Sequence, residues 1–215
     1  MDKVVFFDIG GTLLTSGNIF SDMANSLDKN NKELPAFLKN SFNSQYKSPQ
    51  KDFVTISEML SNSLKKASMK FNLPDVSGNA KQFYEDAFVT KGSCFEDTTE
   101  TLKTLKDNNT KIIAVTDADE ELMLKELEHF KIKNYFDDLI ISSRENAYKP
   151  SQKIVDKVKE AGKGAEKIVF VGDSKSDVET AQKVGAISVL IDRKGTSELE
   201  ADHKIKSLKE LTKIV

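Results

Sequence analysis

The sequence predicts an α/β fold, a doubly wound parallel sheet with an all-helical block inserted into it. Short unbroken apolar runs recur along the chain, each ending in small or acidic residues. Helical periodicities fill the spaces between most of them. From about residue 16 to 92 the pattern stops, and only helical spacing is left.

The apolar runs come in order. Val4-Val5-Phe6-Phe7 precedes Asp8, and Ile112-Ile113-Ala114-Val115 precedes Thr116-Asp117. Leu139-Ile140-Ile141 precedes Ser142-Ser143, and Ile168-Val169-Phe170-Val171 precedes Gly172-Asp173. Ile187-Ser188-Val189-Leu190-Ile191 precedes Asp192. Continuous Val/Ile/Phe runs without polar alternation read as strands buried on both faces, the habit of a parallel sheet. Residues of about 118–130 place Met123, Leu127 and Phe130 on one helical face, and residues of about 151–161 do so with Ile154, Val155 and Val158. Strands alternating with helices give a sheet of five or six strands, wound on both faces.

Between 16 and 92 the chain is rich in Asn, Ser and Lys. Leu60, Leu64 and Ala67 share a helical spacing, as do Phe83, Ala87 and Phe88. Pro35, Pro49, Pro74 and Gly78 punctuate the stretch into about four helices. The predicted domains are therefore an α/β core at 1–15 and 93–215 and a helical cap at 16–92.

Composition narrows the function. At 215 residues the chain is long enough for a substantial core, and 38% hydrophobic with 31% charged residues is ordinary for a globular protein. Thirty-two basic and 34 acidic residues are mixed without a basic stripe, which argues against nucleic acid as a partner. Cys94 is the single cysteine, so neither an internal disulfide nor a cysteine zinc cluster is available. No signal-peptide pattern opens the chain and no apolar run approaches a membrane span, so a cytoplasmic monomer or homodimer without membrane attachment is expected.

In an open parallel sheet the ligand site lies beyond the carboxyl ends of the strands. That rule sends Asp8, Thr116, Asp117 and Asp173 to one neighbourhood. Converging carboxylates repel one another unless a cation is present, and a hard divalent ion with oxygen ligands, Mg2+, resolves the conflict. Lys149, before Pro150, starts a helix from the same edge and brings positive charge toward an anionic substrate. Each of these residues also has a plainer reading. Thr116-Asp117 and the Ser174–Asp177 stretch suit helix caps, and a lone lysine is most often solvated. His129 and His203 sit in charged stretches and read as surface residues, and Lys204 through Lys213 as a solvated final strand and helix.

Four segments in order resemble the motifs of the haloacid-dehalogenase-like hydrolase superfamily. Phe7-Asp8-Ile9-Gly10-Gly11-Thr12-Leu13-Leu14 resembles the first, Val115-Thr116-Asp117 the second and Tyr148-Lys149-Pro150 the third. Gly172-Asp173-Ser174-Lys175-Ser176-Asp177 resembles the fourth. Asn134-Tyr135-Phe136-Asp137 and Ala201-Asp202 through Leu211 are also similar to segments of that group. The resemblance implies a Mg2+-dependent hydrolase, with a small phosphorylated metabolite as substrate and Asp8 as the nucleophile that forms an aspartyl-phosphate. It also implies Mg2+ held by Asp8, Asp173 and the main-chain carbonyl of Gly10. Thr116, Asp117 and Lys149 would meet the substrate, and Asp177 would fix Lys149 or a metal-bound water.

One position departs from the pattern. Phosphatases of this group place a second aspartate where this chain has Gly10, so the usual acid and base is missing. Such help is worth about 10²–10⁴ in rate. Relatives without that aspartate include phosphonoacetaldehyde hydrolases and haloacid dehalogenases. The former require a Schiff-base lysine, for which Lys47, Lys51, Lys65, Lys66 and Lys70 are available. A third possibility is a phospho-ligand-binding protein with little turnover. Asp-Ile-Gly-Gly-Thr also matches the phosphate loop of actin-like sugar kinases, but that reading leaves Gly172-Asp173 unexplained.

Overall fold

A computed structural model describes residues 3–46 and 52–215. Pro49 and the lysines Lys47 and Lys51 lie outside the described residues. The chain divides into two compact units, one formed by Met1–Thr15 with Ser93–Val215 and the other by Ser16–Gly92.

The first unit opens with β1 (Lys3–Phe7) and the short β2 (Leu14–Thr15). After the helical unit it resumes with β3 (Ser93–Cys94), which pairs antiparallel with β2. Sequence patterning missed this ribbon because two-residue strands are too short to show a period. A larger sheet of six strands is completed by β4 (Lys111–Thr116), β5 (Asp138–Ile141), β6 (Lys167–Gly172), β7 (Ile187–Ile191) and β8 (His203–Ile205). The order is β5-β4-β1-β6-β7-β8, with every adjacent pair parallel. The chain thus builds outward from β1 on one side, then returns to build on the other.

Why the strands read as unbroken apolar runs is clear from their two faces. Val5, Phe7, Ile112, Ala114, Val169 and Val171 enter one core cluster, and Val4, Phe6, Ile113, Val115 and Phe170 enter the other. Alternate residues point opposite ways, so a strand covered on both sides has no polar position. Leu102 and Leu105 of α5 (Thr98–Asp107) and Met123 and Leu127 of α6 (Glu120–His129) cover the first face. The short α7 (Ser142–Glu145) follows β5. Ile154 and Val158 of α8 (Gln152–Ala161) and Ala181 of α9 (Lys175–Val184) cover the second. Truncating a buried ring such as Phe170, stacked 6.1 Å from Phe6, costs about 3–5 kcal/mol on general grounds. The C-terminal segment is less solvated than its lysines suggest. Ile205 of β8 and Leu208 and Leu211 of the closing 3-10 turn (Leu208–Lys213) are buried in the first cluster, while His203 and the lysines face out.

The second unit contains α1 (Ile19–Asp28), α2 (Leu34–Asn43), α3 (Ile56–Phe71) and α4 (Ala80–Glu85). Asn18 caps α1 by accepting from the Ser21 amide, and Thr55 and Glu58 form a reciprocal capping box on α3. Pro35 falls in the first turn of α2, where its missing N–H costs nothing. Leu60, Leu64 and Ala67 are buried, but near residue 84 it is Tyr84 with Ala87, rather than Phe83, that goes fully inside. No helix among the described residues is long and apolar enough to cross a membrane.

Candidate active site

Register carries the site residues to one place. Phe7 pairs with Ala114 on one side and Val171 on the other, so Asp8 emerges between the ends of β4 and β6. This is the point where strand order reverses, the usual location of a ligand crevice in such sheets. Asp8 is 7% exposed, and its amide donates to the Val171 carbonyl at 2.9 Å.

Lys149 is the organising cation. Its Nζ donates to Asp8 Oδ1 at 2.6 Å, to Asp177 Oδ1 at 2.6 Å and to the Val115 carbonyl at 2.9 Å. It is 3% exposed, so it is no surface lysine. Burial works against its charge, but Asp177, Asp8 and Asp117 outweigh burial and hold the ammonium form. Asp117 accepts the Lys149 amide at 3.0 Å through Oδ1, which ties the loop after β4 to the Lys149 backbone. Thr116, the last residue of β4, is buried beside them.

Asp177 serves two neighbours at once. Its Oδ2 accepts from the Ser174 amide at 3.0 Å, closing a capping box at the start of α9, while Oδ1 receives Lys149. Capping and site-building are therefore not alternatives for the Ser174–Asp177 stretch. Close approach here requires glycine. A Cβ on Gly172 would lie 2.3 Å from Asp177 Cγ, and one on Gly11, at φ +82°, would lie 2.3 Å from Asp173 Oδ2.

Asp8, Asp173 and Asp177 each offer a carboxylate oxygen, all within 4.8 Å of one another. Burial, with Asp177 and Asp173 nearby, pushes the Asp8 carboxyl up to about 7 against the pull of Lys149. Asp173 is exposed as a residue, yet desolvation by the surrounding protein and the Asp177 charge raise its carboxyl to about 6. Lys149 alone does not balance the carboxylates gathered here, and a divalent cation would offset the negative charge that is left. The all-oxygen donor set suits a hard ion such as Mg2+. Gly10 is exposed, and a Cβ there would meet nothing within 4 Å. The missing aspartate is thus not excluded by space.

Three residues near the site have no role in the sequence reading, although Thr12 falls within its first motif. Thr12 donates Oγ1 to Asp8 Oδ2 at 3.3 Å. Arg193, in the turn after β7, donates to the Thr12 carbonyl at 3.0 Å. Glu126 on α6 is 2% exposed, and burial with the Asp8 charge raises its carboxyl to about 8. A signal for Glu126 existed. It sits four residues after Leu122 and three after Met123, on the face α6 turns inward.

Comparison with known proteins bears on the family and the fold. A family model described as haloacid dehalogenase-like hydrolase matches residues 5–191. A phosphoglycolate phosphatase from Aquifex aeolicus (strain VF5) is 29% identical over 192 residues, covering 87% of this chain and 84% of that one. A solved HAD phosphatase from Thermococcus onnurineus is 27% identical with a TM-score of 0.69, covering 99% and 97% of the two chains. An L-2-haloacid dehalogenase from Xanthobacter autotrophicus shares the fold at a TM-score of 0.76 and 17% identity, covering 100% and 98%. With the family model spanning most of its length and the acidic strand ends gathered around a buried lysine, the chain belongs to the haloacid dehalogenase-like hydrolases and is an enzyme of that class.

Proposed function

We propose that this hydrolase is a Mg2+-dependent phosphatase of small phosphorylated metabolites, using Asp8 as its nucleophile. The observation that carries the reading is Lys149, which touches Asp8 and Asp177 at 2.6 Å beside three carboxylates close enough together to hold a divalent cation. The phosphatase names of the relatives at 29% and 27% identity point the same way.

In this reading an Asp8 oxygen attacks phosphorus, the ester P–O bond breaks, and the alcohol departs, taking its proton from water. A second water then cleaves the aspartyl-phosphate to release phosphate and restore the carboxylate. Asp8, Asp173 and the Gly10 carbonyl would hold Mg2+, which when bound would supply positive charge to offset that of the phosphoryl group. Lys149 adds a fixed positive charge beside the nucleophile, and Asp177 keeps its ammonium in place. Thr116 donates its hydroxyl to the phosphoryl group, and Asp117 holds the loop that presents it. The helical unit 16–92 acts as the cap that decides which substrate is accepted. With Gly10 in place of an acid, leaving groups that need little protonation are favoured.

A C–P hydrolase would need an amine activated by desolvation. Lys65, Lys66 and Lys70 are all exposed on α3, with Lys70 lying over the Phe37 ring at 4.6 Å. These three positions give that reading no support, and Lys47 and Lys51 lie outside the described residues.

The test is phosphate release from a panel of phosphorylated metabolites, 2-phosphoglycolate included, with Mg2+ present. Asp8→Asn should abolish turnover without unfolding the protein. Phosphate release that survives Asp8→Asn would overturn the assignment of the nucleophile. A panel without any turnover, alongside Mg2+-dependent ligand stabilisation, would mark a binding protein instead.

A further inference from the structure

Arg193 lies outside the acid cluster yet is connected to it by two contacts. Its Nη1 and Nη2 donate to the two Asp97 oxygens at 3.0 Å each, and Nη2 also donates to the Thr12 carbonyl at 3.0 Å. The guanidinium carbon rests 3.7 Å from the centroid of the Phe95 ring. Thr12 in turn gives its hydroxyl to Asp8 Oδ2, the carboxylate oxygen that Lys149 leaves free.

The anchor for this reach is rigid. Asp97 is 6% exposed and also accepts from Ser207 Oγ at 2.8 Å and the Leu208 amide at 2.9 Å. It therefore joins the segment after β3 to the C-terminal turn. The Asp8 loop itself is tightly folded, since the amides of Thr12, Leu13 and Leu14 all turn back to the Ile9 carbonyl. The Thr12 carbonyl points out of that turn and is received by Arg193. A planar fork can hold a carboxylate with two N–H groups while one also reaches a carbonyl, and it can stack on a ring. An ammonium can reach a carboxylate and a carbonyl and can sit over a ring, but it cannot present two parallel N–H groups to one carboxylate or lie flat on the ring.

We infer that Arg193, anchored by Asp97, is a positioning residue for the Asp8 loop. It holds the Thr12 carbonyl and so fixes where the Thr12 hydroxyl meets Asp8. One carboxylate oxygen is then oriented by Thr12 and the other by Lys149. The effect on turnover rests on the phosphatase reading, whereas the effect on the loop does not.

Arg193→Lys separates the two contributions, because it keeps the charge beside Asp97 and loses the fork. Amide hydrogen exchange at Gly11, Thr12, Leu13 and Leu14 should quicken in this variant while the β1 and β4 amides stay protected. On whichever phosphate ester the wild type hydrolyses, kcat should fall about tenfold or more with KM little changed. In Arg193→Ala, millimolar guanidinium should restore part of that loss at a temperature well below Tm, a recovery that a general loss of stability would not show. Asp97→Asn should reproduce the faster exchange even if an Arg193 variant fails to fold. Unchanged exchange at 11–14 overturns the inference whatever kcat does, and so does faster exchange with wild-type kcat. If the wild type hydrolyses no phosphate ester, the functional reading fails and the exchange measurements alone decide this one.

Discussion

Lys149 Nζ lies 2.6 Å from Asp8 Oδ1, with both side chains almost wholly out of solvent. Neither charge has water to fall back on, so each depends on the other. Removing one partner of such a pair leaves an uncompensated buried charge, which typically costs about 3–5 kcal/mol. Lys149→Met is therefore expected to lower Tm and to abolish measurable turnover. Added Mg2+ should raise Tm more in Lys149→Met than in the wild type, because the cation would then be the main neutralising charge for Asp8, Asp173 and Asp177. Thermal melts with Mg2+ and with chelator read this directly. Equal Mg2+ shifts in both proteins would show that the three acids do not share the ion.

Glu126 makes stability depend on pH. Its carboxyl is raised from 4.5 to about 8 in the folded protein, by burial first and by Asp8 second. Between those values the unfolded chain has lost a proton that the folded chain retains. This contribution to stability is complete below pH 4.5, falls as pH rises, and is gone above about pH 8. Glu126→Gln cannot titrate, so its advantage over the wild type should grow across that window, by at most about 1.4 kcal/mol per pH unit, and then level off. Urea unfolding at several pH values measures the difference. A difference that does not change with pH would mean Glu126 is already ionised inside the fold.

Gly10 offers room for the acid that the family pattern expects, since a Cβ there meets nothing within 4 Å. Gly10→Asp should fold with wild-type stability, within about 0.5 kcal/mol. Its rate on alkyl phosphates should rise, toward the 10²–10⁴ that acid–base help can supply, and rise less on p-nitrophenyl phosphate. Parallel kinetics on the two substrates check this. Equal gains on both, or none, would mean that the proton comes from elsewhere.

Gly11 has no such freedom. At φ +82°, with Asp173 Oδ2 2.3 Å from where a Cβ would stand, Gly11→Ala must shift either the loop or the carboxylate. We expect a loss of about 1–3 kcal/mol in stability and a weaker Mg2+ response, seen by calorimetry with and without the ion. A Gly11→Ala protein that keeps both would show that the Asp173 carboxylate can move aside freely.

The parallel sheet was legible in the sequence because strands covered on both faces have no polar positions, and β1, β4 and β6 show that pattern without interruption. Asp8, Thr116 and Asp173 could be placed together for the same reason, since strand ends in one sheet share an edge. The β2–β3 ribbon was not legible, because two-residue strands carry no period. Lys149 stands 141 positions from Asp8 and is separated by 28 from Asp177. Its order in the chain marked it, but only folding shows that it is buried between two acids rather than solvated. Arg193 and Asp97, 96 residues apart, carry no local pattern at all. What the sequence determined by itself was periodicity and strand ends, which are local properties of burial. Tertiary structure alone decided which charges lost their water and therefore had to find each other.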